Sequence, residues 1–177
     1  MKRIILIGYM GVGKTTIGRL LAKRLGLEFY DLDWYIEGRY RTTISEIFKE
    51  KGEDGFRDIE RRMLHELAEF ENVVISSGGG TPCFFDNIDF MNSMADTVYL
   101  KASVDVLYSH LQMSKSKRPL LEGKSKDELI EFINESLSKR EPYYIQARNV
   151  FDVCKLVDKK KVEQAVSELI EQCGWDK

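Results

Sequence analysis

The sequence predicts an α/β protein built around a parallel β-sheet, and three observations carry that reading. Five short β-rich runs, Arg3–Ile7, Glu28–Tyr30, Val73–Ser76, Thr97–Leu100 and Val150–Val153, alternate with longer stretches whose apolar residues recur at helical spacing. The first run leads directly into a glycine-rich turn and then a helical stretch. The 177 residues suffice for one domain with an adequate core and leave little room for a second. Residues 1–177 are therefore expected to form a single domain, with no repeat, low-complexity tract or Pro/Ser-rich linker to divide them.

The opening strand is followed by Gly8-Tyr9-Met10-Gly11-Val12-Gly13-Lys14-Thr15, which fits G-x-x-x-x-G-K-[ST] at every fixed position. A helix over Thr16–Leu25, closed by Gly26, completes the strand–loop–helix context that this pattern requires. Glycines let successive N–H groups turn toward phosphate oxygens, and the helix adds its positive dipole end. Gly11, Val12, Gly13, Lys14, Thr15 and Thr16 are the expected ATP-binding residues, with Lys14 bridging the β- and γ-phosphates. Thr15 offers its hydroxyl to Mg²⁺, an ion that keeps several waters and takes few protein ligands.

The second strand runs into Asp31-Leu32-Asp33, and period-2 alternation sends both carboxylates to one side at the sheet edge where ligands of open α/β sheets collect. Beside Mg·ATP, one Asp can hold metal-bound water and the other can accept a hydrogen bond from an attacking hydroxyl. Alternatively, Asp33 simply caps a helix beginning near Trp34. Thr43-Ile44-Ser45-Glu46 matches a capping box for a helix reaching about Lys51 and stopping at Gly52. In Glu53–Phe70, Phe56, Ile59, Met63, Leu64 and Leu67 mark the inward face of a longer helix. Arg57 and Glu60 lie three residues apart there, either as an exposed ion pair or as a fixed guanidinium awaiting an anion. Ile47, Phe48 and Phe56 either cover a ligand or belong to the core. Gly78-Gly79-Gly80, after a buried strand, mark a flexible turn or a close approach of a ligand to the backbone. Residues 113–125 are polar and basic, reading as a solvated charge run or as a lid whose Arg118 meets charge on a transferred phosphoryl group.

Bulk composition excludes other classes. Lys plus Arg number 27 against 29 Asp plus Glu, so the net charge of −2 gives no reason to expect nucleic acid or an anionic membrane as partner. Cys83, Cys154 and Cys173 are odd in number and far apart, which fits a reducing compartment, and a cytoplasmic location is expected. The apolar run Ile4–Ile7 is too short for a signal-peptide core or a membrane span.

Taken together, GxxGxGK[ST] from Gly8, D-x-D at Asp31 and Asp33, F-R-x-x-E at Phe56–Glu60, G-G-G at Gly78, R-P-L-L at Arg118 and R-x-x-x-Y at Arg140–Tyr144 resemble the shikimate kinase family. The resemblance implies a five-stranded parallel sheet flanked by helices, a P-loop kinase three-layer sandwich with a mobile lid and a substrate-binding segment at about 32–62. It implies transfer of the γ-phosphoryl of Mg·ATP to the 3-hydroxyl of shikimate; a monomer is expected. Lys14, Asp33 and Arg118 would be catalytic, and Arg118 would also contact ATP. Asp33, Arg57, Gly78, Gly79, Gly80 and Arg140 would bind shikimate, with Arg57 and Arg140 clamping its carboxylate and Glu60 orienting Arg57. Thr15, and Asp31 through water, would hold the metal.

The sequence departs from the family pattern twice. Leu111 stands where relatives carry an arginine against adenine, and Asp152-Val153-Cys154-Lys155 is not followed by proline. His65 is expected on a helix surface, His110 is a candidate for reaching adenine, and nothing marks Cys83 as a nucleophile. The rivals are a gluconate- or nucleotide-kinase-like enzyme and a nucleotide-binding switch. The paired arginines favour a carboxylate acceptor, and no Asn/Thr-Lys-x-Asp base-reading motif of a switch GTPase occurs.

Overall fold

Ile4, Ile5, Leu6 and Ile7 are all fully buried, and the strand they form is the middle of the sheet. In the computed structural model, which describes residues 2–113, 123–153 and 159–175, the strands are β1 (Arg3–Ile7), β2 (Glu28–Asp31), β3 (Val73–Ser76), β4 (Asp96–Lys101) and β5 (Asn149–Asp152). They lie in the order β2-β3-β1-β4-β5, and every pairing is parallel. Continuous burial of β1 and β3 follows from helices covering both faces of a parallel sheet, where no alternation with polar residues is needed. The expected five-stranded sheet is present, with β4 longer by one residue at each end, β2 longer by one, and β5 shifted back by one.

The flanking helices among the described residues are α1 (Lys14–Leu25), α2 (Leu32–Tyr40), α3 (Ile44–Ala68), α4 (Asn87–Met94), α5 (Val104–Met113), α6 (Lys126–Tyr144) and α7 (Lys159–Cys173). A short 3₁₀ turn occupies Thr81–Cys83. Gly26 closes α1 in the left-handed conformation, with its N–H donating to the Ala22 carbonyl. The capping box at Thr43 and Glu46 is formed. Gly52, at φ 69° and ψ −176°, kinks α3 into the two segments expected. A Cβ at Gly52 would meet nothing within 4 Å, so the kink needs glycine for its φ alone.

Two expectations are corrected. The cap of α2 is Asp31, not Asp33: its carboxylate accepts from the N–H groups of Asp33 and Trp34, so the helix starts at Leu32. Asp33 therefore sits in the first helical turn, and period-2 alternation is not what places it near Asp31. His65 is half-buried rather than on the open helix surface: its ring stacks on Phe90 with centroids 3.7 Å apart, joining α3 to α4, and its Nε2 has no partner among the described residues. Ile47 and Phe56 are buried in the core, and Phe48 stacks on Phe56, which favours the packing reading of all three.

Strand register sets up the site. Leu6 pairs with Ser76, and Ser76 with Asp31, forming one row across the carboxyl edge of the sheet. The segments that follow this row, Gly8–Lys14, Asp33 and Ser77–Gly80, all emerge at that edge, where β1 sits between strands reached by opposite crossovers.

Candidate active site

Gly8, Gly11 and Gly13 hold φ values of 148°, 81° and 103°, which L side chains rarely adopt, and so the loop curls back over the start of α1. Within it the Lys14 ammonium donates to the carbonyls of Gly8 at 2.7 Å and Tyr9 at 3.2 Å. The lysine is thus held across the loop, nearly buried, with its charge inside the concavity. Thr15 donates its hydroxyl to Asp31 Oδ2 at 3.0 Å, while Asp31 Oδ1 serves the amides of α2. One carboxylate therefore ties the phosphate loop to the beginning of the next helix.

A pocket of about 180 Å³ opens here, lined by Met10, Gly11, Gly13 to Thr16, Asp31, Asp33 and Ser76 to Gly79. It combines amide donors, an ammonium, a hydroxyl and two carboxylates, the equipment for holding a polyphosphate and a hydroxyl acceptor side by side. Burial pushes the Asp33 carboxyl up to about 6, helped by the negative charges of Asp31 and Glu60 and opposed by Lys14. A carboxylate of that kind exchanges its proton near neutrality, as a general base requires.

Behind this pocket Arg57 and Glu60 are both buried, at 8% and 1% exposure, so the exposed-pair reading does not hold. Arg57 Nη1 donates to Glu60 Oε2 at 2.8 Å and Nη2 to Glu53 Oε1 at 3.3 Å. The guanidinium lies over the Phe84 ring, with its carbon 4.0 Å from the centroid, and its Nε is buried with no acceptor among the described residues. Thr81 donates its hydroxyl to the other Glu60 oxygen.

The three glycines are explained by close approach, since none has a positive φ. A Cβ on Gly80 would lie 2.6 Å from Arg57 Nη2, and one on Gly78 would lie 2.8 Å from Glu60 Oε1. A Cβ on Gly79 would stand 3.3 Å from Arg140 Nη1. The turn is thus held between the two arginines that the sequence singled out. On α6, one helical turn beyond Arg140, the buried Tyr144 donates its hydroxyl to the Gly79 carbonyl. Arg140 itself lies over the Tyr9 ring, 5.6 Å from its centroid, which connects this cluster to the phosphate loop. Burial pushes the Cys83 thiol up to about 11 despite both arginines, so it is no nucleophile.

Gly11, Gly13 to Thr16, Asp31, Asp33, Gly78 and Gly79 are therefore brought into one pocket, with Arg57, Gly80 and Arg140 against its wall. Val12 is buried beneath the loop. Arg118 and most of the 113–125 segment lie outside the described residues, as does part of the loop after Val153. Leu111 is buried against Gly11, where a Cβ would come 2.9 Å from Leu111 Cδ2. Sequence reasoning assigned no role to Glu53, Thr81 or Tyr144. Glu53 and Tyr144 did carry a signal, their four-residue spacing from Arg57 and from Arg140 on one helix face.

Among the described residues no helix is long and apolar enough to cross a membrane, and no three His, Cys, Asp or Glu residues gather as a metal site. The family profile described as Shikimate kinase matches residues 10–174. A shikimate kinase of Phocaeicola vulgatus is 53% identical over 169 residues, covering 96% of this chain and 97% of that protein. The solved structure of shikimate kinase from Bacteroides thetaiotaomicron superposes with a TM-score of 0.95 at 52% identity, over 98% of each chain. That of shikimate kinase from Acinetobacter baumannii in complex with shikimate gives 0.84 at 31% identity, over 100% of this chain and 95% of that one. With a phosphate loop, a tuned carboxylate and two converging arginines on a sheet that these enzymes share, the chain belongs to the shikimate kinase family.

Proposed function

We propose that this pocket transfers the γ-phosphoryl group of ATP to the 3-hydroxyl of shikimate with Asp33 as the residue that receives the hydroxyl hydrogen. The observation that carries this is the position of Asp33, which shares one pocket with Lys14 and lies against the glycine turn held between the two arginines, a Cβ on Gly78 coming 3.3 Å from its Oδ1. The Gly11–Thr16 backbone and Lys14 hold the phosphates. Arg57 and Arg140 take the shikimate carboxylate, to which a planar guanidinium offers paired donors that an ammonium lacks. Glu60 fixes Arg57 in place through a buried ion pair. In the reaction the shikimate oxygen bonds to the γ-phosphorus as the bond to the β–γ bridging oxygen breaks. The hydroxyl proton passes to the Asp33 carboxylate, and ADP departs with the bridging oxygen.

The donor set also suits Mg²⁺. Thr15 Oγ1 would hold the ion directly and Asp31 Oδ2, placed beside it at the loop, would hold it through water, a donor set small enough for an ion that keeps its waters. When bound, Mg²⁺ neutralises charge on the β- and γ-phosphates. We further place the protein in the cytoplasm as a single catalytic domain and a monomer. Cys83 and Cys173 are free thiols, in keeping with a reducing compartment.

A coupled ADP-release assay with ATP, Mg²⁺ and a panel of shikimate, quinate, gluconate and AMP tests the assignment. Rapid ADP formation with shikimate alone is expected, and equal turnover with AMP or gluconate would overturn it.

A further inference from the structure

His110, on α5, places Nδ1 2.9 Å from the carbonyl oxygen of Gly11 in the phosphate loop. A carbonyl can only accept, so Nδ1 carries the proton and donates. The same peptide group is held at its other end, because the Val12 N–H reaches the Tyr9 carbonyl at 3.3 Å. Tyr9 O also receives the Lys14 ammonium, so peptide 11–12 and Lys14 share one anchoring oxygen. Beside His110, Leu111 packs so closely on Gly11 that any side chain there would collide with it.

A phosphate loop is ready for its anion when its carbonyls are held by other donors and kept from the amides that face the phosphates. Gly11 has φ 81°, and glycine peptides reorient easily unless something holds them. We propose that His110 is a positioning residue for nucleotide binding, which fixes the Gly11 carbonyl toward α5 and so presets the loop for a triphosphate. It touches no reacting atom, and its effect falls on ATP and ADP affinity, leaving shikimate affinity alone. The inference rests on the reading of Gly11–Thr16 as the phosphate site.

The test compares His110→Ala, His110→Asn and His110→Gln. An asparagine amide occupies the place of Nδ1, whereas a glutamine amide occupies that of Nε2. Loss of one hydrogen bond to a carbonyl corresponds to roughly a three- to tenfold effect. His110→Ala and His110→Gln should raise KM for ATP and the calorimetric Kd for ADP by that factor, with KM for shikimate unchanged. His110→Asn should restore both to within about twofold. Values within about 1.5-fold of wild type in all three variants, or an Asn variant no better than Gln, would overturn the proposal. Lys14→Ala is run alongside. If it abolishes activity while the His110 series stays flat, only the positioning role fails; if Lys14→Ala also stays active, the phosphate-loop reading itself fails.

Discussion

Arg57 and Glu60 form an ion pair inside the protein, 2.8 Å from Nη1 to Oε2, with only 1% of Glu60 in contact with solvent. Removing one partner of such a pair strands a charge in a medium that cannot hydrate it.

Arg57→Ala should therefore lower stability by about 3–5 kcal/mol in urea titration. Arg57→Lys keeps the charge but loses the planar fork, so it should raise KM for shikimate by the equivalent of about 1.5–3 kcal/mol and leave KM for ATP unchanged. An unaltered shikimate KM in the lysine variant would confine Arg57 to a structural role.

Asp33 gives a pH signature with a definite sign. Its carboxyl titrates near 6 in the fold against an ordinary 3.8, so the fold prefers the protonated form. That preference contributes stability in full below 3.8 and loses it as the pH rises through 6, a difference on the order of 2–3 kcal/mol. Asp33→Asn should remove this loss, making the variant more stable than wild type above that range. Activity moves the opposite way: kcat/KM for shikimate should rise with pH to a plateau above about 6, since only the ionised carboxyl accepts a proton. A flat profile across that range would exclude Asp33 as base.

Tyr144→Phe deletes the hydroxyl that the Gly79 carbonyl accepts from. Losing this part-buried hydrogen bond costs about 0.5–1.5 kcal/mol, which should appear both in unfolding and as a severalfold higher KM for shikimate. KM for ATP should not move, because the phosphate loop keeps its own hydrogen bonds. A fall in stability with both KM values unchanged would mean that Tyr144 merely packs.

His65 predicts acid sensitivity away from the pocket. Burial, followed by the nearby Arg61, lowers its imidazole below the usual 6.5. The unfolded chain takes up a proton as the pH drops past 6.5, the folded chain only later, so stability is lost as pH falls through the folded value. His65→Phe should flatten this decline in thermal unfolding between pH 7 and 5; an unchanged slope would point to other groups.

The phosphate loop was legible because its chemistry is local: strand, glycines, Lys14 and helix are contiguous. The Gly52 break was legible for the same reason, being a matter of backbone conformation. Arg57 and Glu60 could be paired from their spacing, but their burial could not be seen, because Phe84, Gly80 and Thr81 cover them from another part of the chain. The glycine run was read as a flexible turn or a close approach of a ligand; Gly78 and Gly79 do line the pocket, and what the sequence could not show is that the space at Gly78 and Gly80 is also needed by the protein's own Glu60 and Arg57. The capping alternative fell on Asp33, two residues late, because Asp31 and Asp33 are equivalent in sequence and only the strand's end distinguishes them. His110 was considered only as a base contact, since its distance to Gly11 depends on how α5 docks.

Asp31 caps α2 with one carboxylate oxygen and receives the Thr15 hydroxyl with the other. In a random library screened only for soluble expression, most changes at Asp31 would be discarded for weakening the helix start. The screen would then retain the partner of Thr15 without ever assaying turnover. Substitutions that survive would be biased to Asn, whose side chain still caps but carries no charge toward Thr15. Soluble, well-folded, poorly active proteins with that single exchange are the class such a library should yield at this position.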